Sequence, residues 1–319
     1  MKLIVQIPCL NEEKTLPETV KDIPRKIEGI DSVEILIIDD GSTDRTVDVA
    51  REIGVDHIVR NTANKGLAMS FMNGLEACLT LGADIIVNTD GDNQYNGADI
   101  SKLVAPILRG KADIVVGDRQ TDTIEHFSFI KKKLQKFGSW LVRRLSGTSV
   151  PDTVSGFRAF SREAAMQINV ISTYSYTVET IIQAGNKKLS ITSVPVRTNP
   201  KTRESRLVKS IPKFVMYQMS TMVRMYAMFR PLRTFFMIGA VLIGAAMIPS
   251  VRFLYFYLLG KGGGHIQSLI LATILFITGF QVLIVGLLGD VISSNRKLIE
   301  DVLLRVKKME ADRYENEPK

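Results

Sequence analysis

Asp90 and Asp92 flank Gly91 within Asn88-Thr89-Asp90-Gly91-Asp92-Asn93-Gln94, directly after the apolar run Ile85-Ile86-Val87. Two carboxylates on one short loop are hard oxygen donors suited to Mg2+ or Mn2+, and such an ion bridges naturally to the phosphates of a nucleotide. Gly91 is expected to let the backbone bend between them. Two further loops carry polar groups after apolar runs: Pro8-Cys9-Leu10-Asn11-Glu12 and Asp39-Asp40-Gly41-Ser42. Lys65 and Gly66 precede an amphipathic stretch, where backbone N–H groups and a cation suit a pyrophosphate.

Short β-branched runs supply the elements that position these loops. Leu3 to Ile7, Val33 to Ile38, His57 to Arg60, Asp84 to Asn88 and Asp113 to Gly117 read as strands. The stretches between them, Thr43 to Gly54, Gly66 to Gly82 and Ala98 to Arg109, have helical spacing, and two end at glycine. The alternation predicts a doubly wound, mostly parallel α/β sheet closed by a strand near Leu189 to Arg197. In such a sheet ligands bind beyond the carboxyl ends of the strands, so the three acidic loops should share one cleft.

After residue 230 the composition changes. Thr234 to Val251 and Leu269 to Leu288 contain no charge, and the second run of 20 residues is long enough to cross about 30 Å of hydrocarbon. Lys261-Gly262-Gly263-Gly264-His265 joins them into a hairpin. Basic residues flank its open end, Arg230 and Arg233 before and Arg296, Lys297 and Arg305 after, which predicts an integral protein of the cell membrane with both termini cytoplasmic. Arg252 is expected to snorkel to the far interface beside Tyr255 and Tyr257.

The net charge of +8 is local: residues 128 to 146 carry +6 and residues 201 to 233 carry +7, so the remainder is net negative. Basic surface confined to two segments argues for a membrane partner and against nucleic acid. Cys9 and Cys78 form neither a disulfide framework nor a zinc spacing, and the first apolar run, ending at Pro8, is too short for a signal peptide. The expected organisation is a catalytic domain over 1–200, a basic amphipathic juxtamembrane segment over 201–233, two transmembrane helices within 234–289 and a cytoplasmic helix or tail over 290–319.

Pro8-Cys9-Leu10-Asn11-Glu12, Ile37-Ile38-Asp39-Asp40-Gly41-Ser42-Thr43-Asp44, Asn64-Lys65-Gly66-Leu67, Asp90-Gly91-Asp92 and Ser155-Gly156-Phe157-Arg158, in this order, resemble family 2 glycosyltransferases. The branch they resemble is that of the polyprenyl-phosphate glycosyltransferases. The resemblance covers about residues 1 to 200. It implies a GT-A (Rossmann-like) fold, a divalent metal and inversion at the sugar carbon.

By the same resemblance Asp39 and Asp40 contact the base and ribose of the donor, although either carboxylate also suits a cap on the helix near Thr43. Pro8, Leu10, Asn11, Glu12 and Ile38 belong to that nucleotide pocket, with Glu12 also suited to a helix N-terminus. Gln94 falls where a neutral metal ligand is found. Arg119 matches an arginine at the acceptor phosphate, and Lys131, Gln135 and Arg206 fall in the regions that hold it. Asp152 is placed to orient the acceptor or the sugar.

Phe129 to Leu145 sets Ile130, Leu134, Phe137, Leu141 and Leu145 on one helical face with basic residues around the others, the pattern of an interfacial helix. A second amphipathic stripe from Leu207 to Phe229 leads into the first span, with Pro212 in its first turn. The implied partners are a nucleotide sugar, a polyprenyl phosphate and the membrane, with a homotetramer as the implied assembly. Two other readings remain open, a processive polysaccharide synthase and a noncatalytic, membrane-tethered nucleotide-binding module. The first is disfavoured because the only tryptophan, Trp140, follows Ser139 and forms no Gln-x-x-Arg-Trp motif.

Overall fold

The computed structural model describes residues 1–120, 129–172, 175–200 and 211–316, with the backbone alone for 129–137, 211–215 and 312–316. It forms two compact units, one made of residues 1–222 and 303–319 and the other of 223–302.

In the first unit, strands β1 (Lys2–Cys9), β2 (Ser32–Asp39), β3 (His57–Arg60), β4 (Ile85–Asn88), β5 (Ile114–Asp118), β6 (Arg158–Ser161) and β7 (Ile191–Pro195) build one sheet in the order β3-β2-β1-β4-β6-β5-β7. The central strands read as unbroken apolar runs because both faces are covered: Leu3 to Val5, Ile35 to Ile38 and Ile85 to Val87 are fully buried. Helices α1 (Leu16–Lys21), α2 (Thr46–Glu52), α3 (Leu67–Thr80), α4 (Ile100–Leu108), α5 (Phe129–Ser146), α6 (Arg162–Gln167) and α7 (Thr177–Asn186) connect the strands. Five strands, three helices and the closing edge strand thus lie where the alternation of the sequence places them.

The sheet is mixed. Strand β6 runs antiparallel to both β4 and β5, pairing Asn88 with Arg158 and Val116 with Arg158. Its four residues lack alternation, so no local pattern announces it. It brings the segment before it, Ser155-Gly156-Phe157, to the same edge as the carboxyl ends of the parallel strands.

Helix α8 (Ile211–Phe229) carries Pro212 as its second residue, where no intrahelical N–H bond is lost. The second unit consists mainly of α9 (Pro231–Leu258) and the start of α10 (Ile266–Asn316), both long and apolar enough to cross a membrane. The stretch expected as a helix or tail over 290–319 is helical as far as Asn316, where it continues α10, a helix of 51 residues. Within the pair, the backbones approach at Gly239 and Gly279, where an added Cβ would lie 2.9 Å and 3.1 Å from the other glycine's carbonyl oxygen. Small residues at such a crossing let two apolar helices pack where no hydrophobic effect drives them together.

Candidate active site

The chain runs from β1 outward to β2 and β3, then returns across β1 to β4. That reversal opens a crevice at the carboxyl ends of β1 and β4, the position where open α/β sheets hold ligands. The loops after β1, β2 and β4 meet there and interlock. Asn11, in the left-handed region at φ 56°, accepts the Thr43 N–H at 2.8 Å through its side-chain oxygen. The Glu12 N–H donates to Thr46 Oγ at 2.8 Å, and Thr15 Oγ donates to Glu12 and to the Gly91 carbonyl, each at 2.8 Å. Asn11 and Glu12 therefore fix the shape of the crevice floor. Ile38 is fully buried and offers the crevice no side-chain surface, whereas Pro8 and Leu10 are half-buried at its rim.

The two neighbouring aspartates divide their work. Asp40 accepts from Asn61 Nδ2, Lys65 N and Gly66 N, each at 2.9 Å, and so clamps the loop leading into α3. The backbone N–H groups of Lys65 and Gly66, expected to face a pyrophosphate, are directed at this carboxylate, which leaves the exposed Lys65 ammonium as the group suited to an anion. Asp39 is fully buried. One of its oxygens accepts the Ser42 N–H at 3.1 Å, and the other has only Arg60 Nε at 3.2 Å, with no hydrogen bond formed. Neither aspartate caps α2, whose N-cap position is Arg45; Asp44, one residue earlier, accepts the Thr46 N–H at 3.0 Å.

Asp90, Asp92 and Gln94 are half-buried at the crevice mouth, and the Gln94 N–H donates to Asp92 at 3.2 Å. Gly91 is needed for space, because an added Cβ would stand 3.0 Å from Cys9 Sγ. The expected bend falls instead at Asn93, whose φ is 54°. The loop is then tied to the segment after β7: Asn199 N donates to the Gln94 carbonyl at 2.9 Å, and Arg197 pairs with buried Asp99 at 2.9 Å.

Asp90 lies over Gly156, whose added Cβ would come within 3.0 Å and 3.1 Å of its two oxygens and 3.0 Å of Tyr176 Oη. Three side chains hold the Gly156 backbone in place. Asn88 Nδ2 donates to the Gly156 carbonyl at 2.9 Å and to Tyr176 Oη at 2.7 Å, while Tyr95 Oη accepts the Gly156 N–H at 3.0 Å. Tyr176 stacks on Phe71 at 3.9 Å and Tyr95 on Phe157 at 5.0 Å. Burial pushes the Tyr95 phenol up, keeping it a neutral hydroxyl. Gly156→Ala is therefore expected to displace Asp90 and cut turnover by about 10- to 100-fold, the usual scale for groups that orient a ligand. Turnover, measured beside the melting temperature, checks this.

Arg119 and Asp152, named separately from the sequence, form one unit. The guanidinium spans the carboxylate through Nε–Oδ2 at 2.7 Å and Nη2–Oδ1 at 3.0 Å, with Nη1 outside this pairing. Asp152 is 2% exposed and Arg119 15%. Burial alone would raise the Asp152 carboxyl, but the charge and hydrogen bonds of Arg119 outweigh it and hold it below the ordinary carboxylate range. Burial would lower the Arg119 pKa, but the negative groups around it, Asp152 and then Asp90 among them, outweigh it and keep the guanidinium protonated. Arg158, last residue of the Ser155-Gly156-Phe157-Arg158 motif, is buried and acts as a brace: it donates to the carbonyls of Ser155, Thr177 and Thr153 at 2.8, 2.7 and 3.0 Å. Burial lowers its pKa to about 10.

Lys131 and Gln135 lie on α5 with side chains outside the described residues, and Arg206 lies outside them altogether. The sequence reading missed Asn88, Tyr95, Tyr176 and Arg60. Only Asn88 had a local signal, as a polar residue closing an apolar strand.

The glycosyl transferase family 2 model matches residues 4–168. The UDP-N-acetylglucosamine–dolichyl-phosphate N-acetylglucosaminyltransferase of Methanococcus voltae is 30% identical over 213 residues, which is 60% of this chain and 83% of that protein. The polyprenol monophosphomannose synthase of Mycolicibacterium smegmatis is 27% identical over 206 residues, covering 61% and 76% of the two chains. Among solved structures, glucosyl-3-phosphoglycerate synthase of Mycobacterium tuberculosis, in complex with Mn2+ and UDP, superposes with a TM-score of 0.55 at 21% identity, covering 69% of this chain and 79% of that one. The last likeness concerns the fold, which is GT-A.

Proposed function

Because this chain belongs to glycosyl transferase family 2, we propose that it transfers a sugar from a UDP- or GDP-sugar to a polyprenyl phosphate at the cytoplasmic face of a membrane, with inversion at the sugar carbon. The observation that carries this reading is the Asp90 carboxylate packed over Gly156, in a chain that also has the buried Arg119–Asp152 pair and two membrane-length helices. The activities by which the two relatives are named, both on polyprenyl-type phosphates, support it.

The acidic loop suits a divalent ion. Among the described residues no three carboxylate, His or Cys groups cluster, so the protein offers two hard anionic donors, Asp90 and Asp92, with Gln94 as a neutral third. A set that short fits Mg2+ or Mn2+ completed by substrate phosphates and water. When bound, the ion would neutralise the diphosphate leaving group.

The chain's own residues do the rest. Asp39, buried and with one oxygen outside any hydrogen bond, faces donor N–H or hydroxyl groups, while Asp40, Asn11 and Glu12 hold the crevice floor rigid around it. Lys65 and the acidic loop straddle the diphosphate. Arg119, oriented by Asp152, presents Nη1 to the acceptor phosphate. A phosphomonoester, with its second pKa of about 6, is already anionic at neutral pH, so its oxygen needs no general base to attack the anomeric carbon. The chemical task is to bring two anions together, and the cationic groups serve it. Lys131, Gln135 and Arg206 complete the acceptor side in this reading. The basic residues flanking the open end of the hairpin keep the catalytic unit cytoplasmic.

Purified protein in detergent, mixed with polyprenyl phosphate and a panel of nucleotide sugars with and without Mn2+, tests the proposal. A lipid-linked monosaccharide is expected from at least one donor, only with metal. No product from any donor, with nucleotide binding retained, favours a noncatalytic binding module.

A further inference from the structure

We infer that Asn199 is a positioning residue for the acidic loop, holding the turn after Asp92 in the shape that offers Asp92 and Gln94 to one ion. The inference rests on the reading of Asp90 and Asp92 as donors to that ion. Asp92 and Gln94 flank Asn93, a buried residue in the left-handed region at φ 54°. A residue other than glycine stays in that region where its surroundings hold it there. Here the holding contacts come from a residue 106 positions along the chain. The Asn199 backbone N–H donates to the Gln94 carbonyl at 2.9 Å, and its Nδ2 donates to the Asn93 carbonyl at 3.1 Å and to the Tyr95 carbonyl at 3.5 Å. Three successive carbonyls of the loop are thus fixed by a single side chain and its own backbone. Asn96 Nδ2 donates to Asn199 Oδ1 at 3.4 Å, which turns the amide so that its NH2 group faces the loop.

Asn199 is itself anchored on both sides. Before it, the Arg197 N–H donates to buried Asp99 at 2.7 Å, the Arg197 carbonyl accepts the Asn96 N–H at 3.2 Å, and Thr198 bridges Tyr95 in the antiparallel sense. After it, Pro200 biases Asn199 towards extended backbone, the conformation such a bridge needs. Both anionic donors depend on the result. Asp92 adjoins the gripped turn, and Tyr95, whose carbonyl Asn199 also reaches, receives through its hydroxyl the N–H of Gly156 beneath Asp90. A loop with only two carboxylates binds an ion well when little ordering is left to be done on binding, so the groups that fix its backbone set its affinity.

Electron paramagnetic resonance of free Mn2+, titrated against the full chain in detergent with saturating UDP or GDP, tests this without requiring sugar transfer. Asn199→Ala and the similarly sized Asn199→Leu both remove the amide donors. Each is expected to weaken Mn2+ binding by about 10- to 100-fold, the scale for groups that orient metal ligands, with cooperative melting retained. Arg25→Met is the control for stability alone: it breaks the Arg25–Asp56 pair at the amino ends of β2 and β3, away from the crevice, and should lower the melting temperature with Mn2+ affinity unchanged. Parental Mn2+ affinity in either folded Asn199 variant overturns the inference alone. Loss of cooperative melting in both variants makes Asn199 a structural residue and overturns it too. If the parent protein binds no Mn2+ with either nucleotide, the reading of Asp90 and Asp92 falls together with the inference.

Discussion

Asp92→Asn is expected to lower turnover by about 10²- to 10³-fold while leaving the melting temperature within a degree or two of the parent protein. The substitution keeps the shape and the Gln94 hydrogen bond but removes one of the two anionic donors on the acidic loop. Losing a preorganised charge at a reacting centre costs about 3–4 kcal/mol of transition-state stabilisation, which sets the fold-change. Little stability is at stake, since a half-buried surface side chain replaced by an isostere shifts folding by about 0.5 kcal/mol or less. Asp90→Asn should follow with a smaller loss. Steady-state rates over a Mn2+ titration, beside thermal melts, check both. Full activity in purified Asp92→Asn would remove that residue from the site.

Arg119→Met should be the most destabilising single change at the cleft. It leaves the Asp152 carboxylate, 2% exposed, without its bidentate partner. Breaking a buried pair from one side costs about 3–5 kcal/mol, because the remaining charge stays desolvated. The double variant Arg119→Met with Asp152→Leu removes both charges and should recover most of that stability, but not the use of the lipid acceptor. Recovery of stability with activity still lost separates the structural from the chemical role of Arg119.

The same pair sets a pH dependence. The Asp152 carboxyl is depressed in the folded protein, so its contribution is present above the ordinary aspartate pKa near 4. It is lost as pH falls below that value towards the folded one. The parent protein should therefore lose more stability below about pH 4 than the double variant does. Thermal melts at stepped pH give the comparison.

The loops that bear the chemistry were legible because each follows an apolar strand directly, and strand direction alone sends them to one edge. Their internal division was not. Asp39 and Asp40 are alike as residue types, and only the fold shows that Asp40 is bound by Asn61, Lys65 and Gly66 while Asp39 faces Arg60. Arg119 and Asp152 stand 33 positions apart, and Asn88 and Tyr176 stand 88 apart, so no local spacing could join them. Strand β6 is too short to carry a period, and its antiparallel insertion is what delivers Gly156 to Asp90. The two apolar segments were read from composition alone, whereas the continuity of α10 past Leu288 was hidden by its change from uncharged to charged residues.

Anomalous scattering from crystals grown with Mn2+ and a nucleoside diphosphate tests the central claim most directly. A single strong manganese peak is expected between the carboxylates of Asp90 and Asp92 and the diphosphate, with the base near Asp39 and the Arg119 guanidinium facing the open side. A peak elsewhere on the chain, or a nucleotide bound with no metal at the Asp90-Gly91-Asp92 loop, would contradict the account.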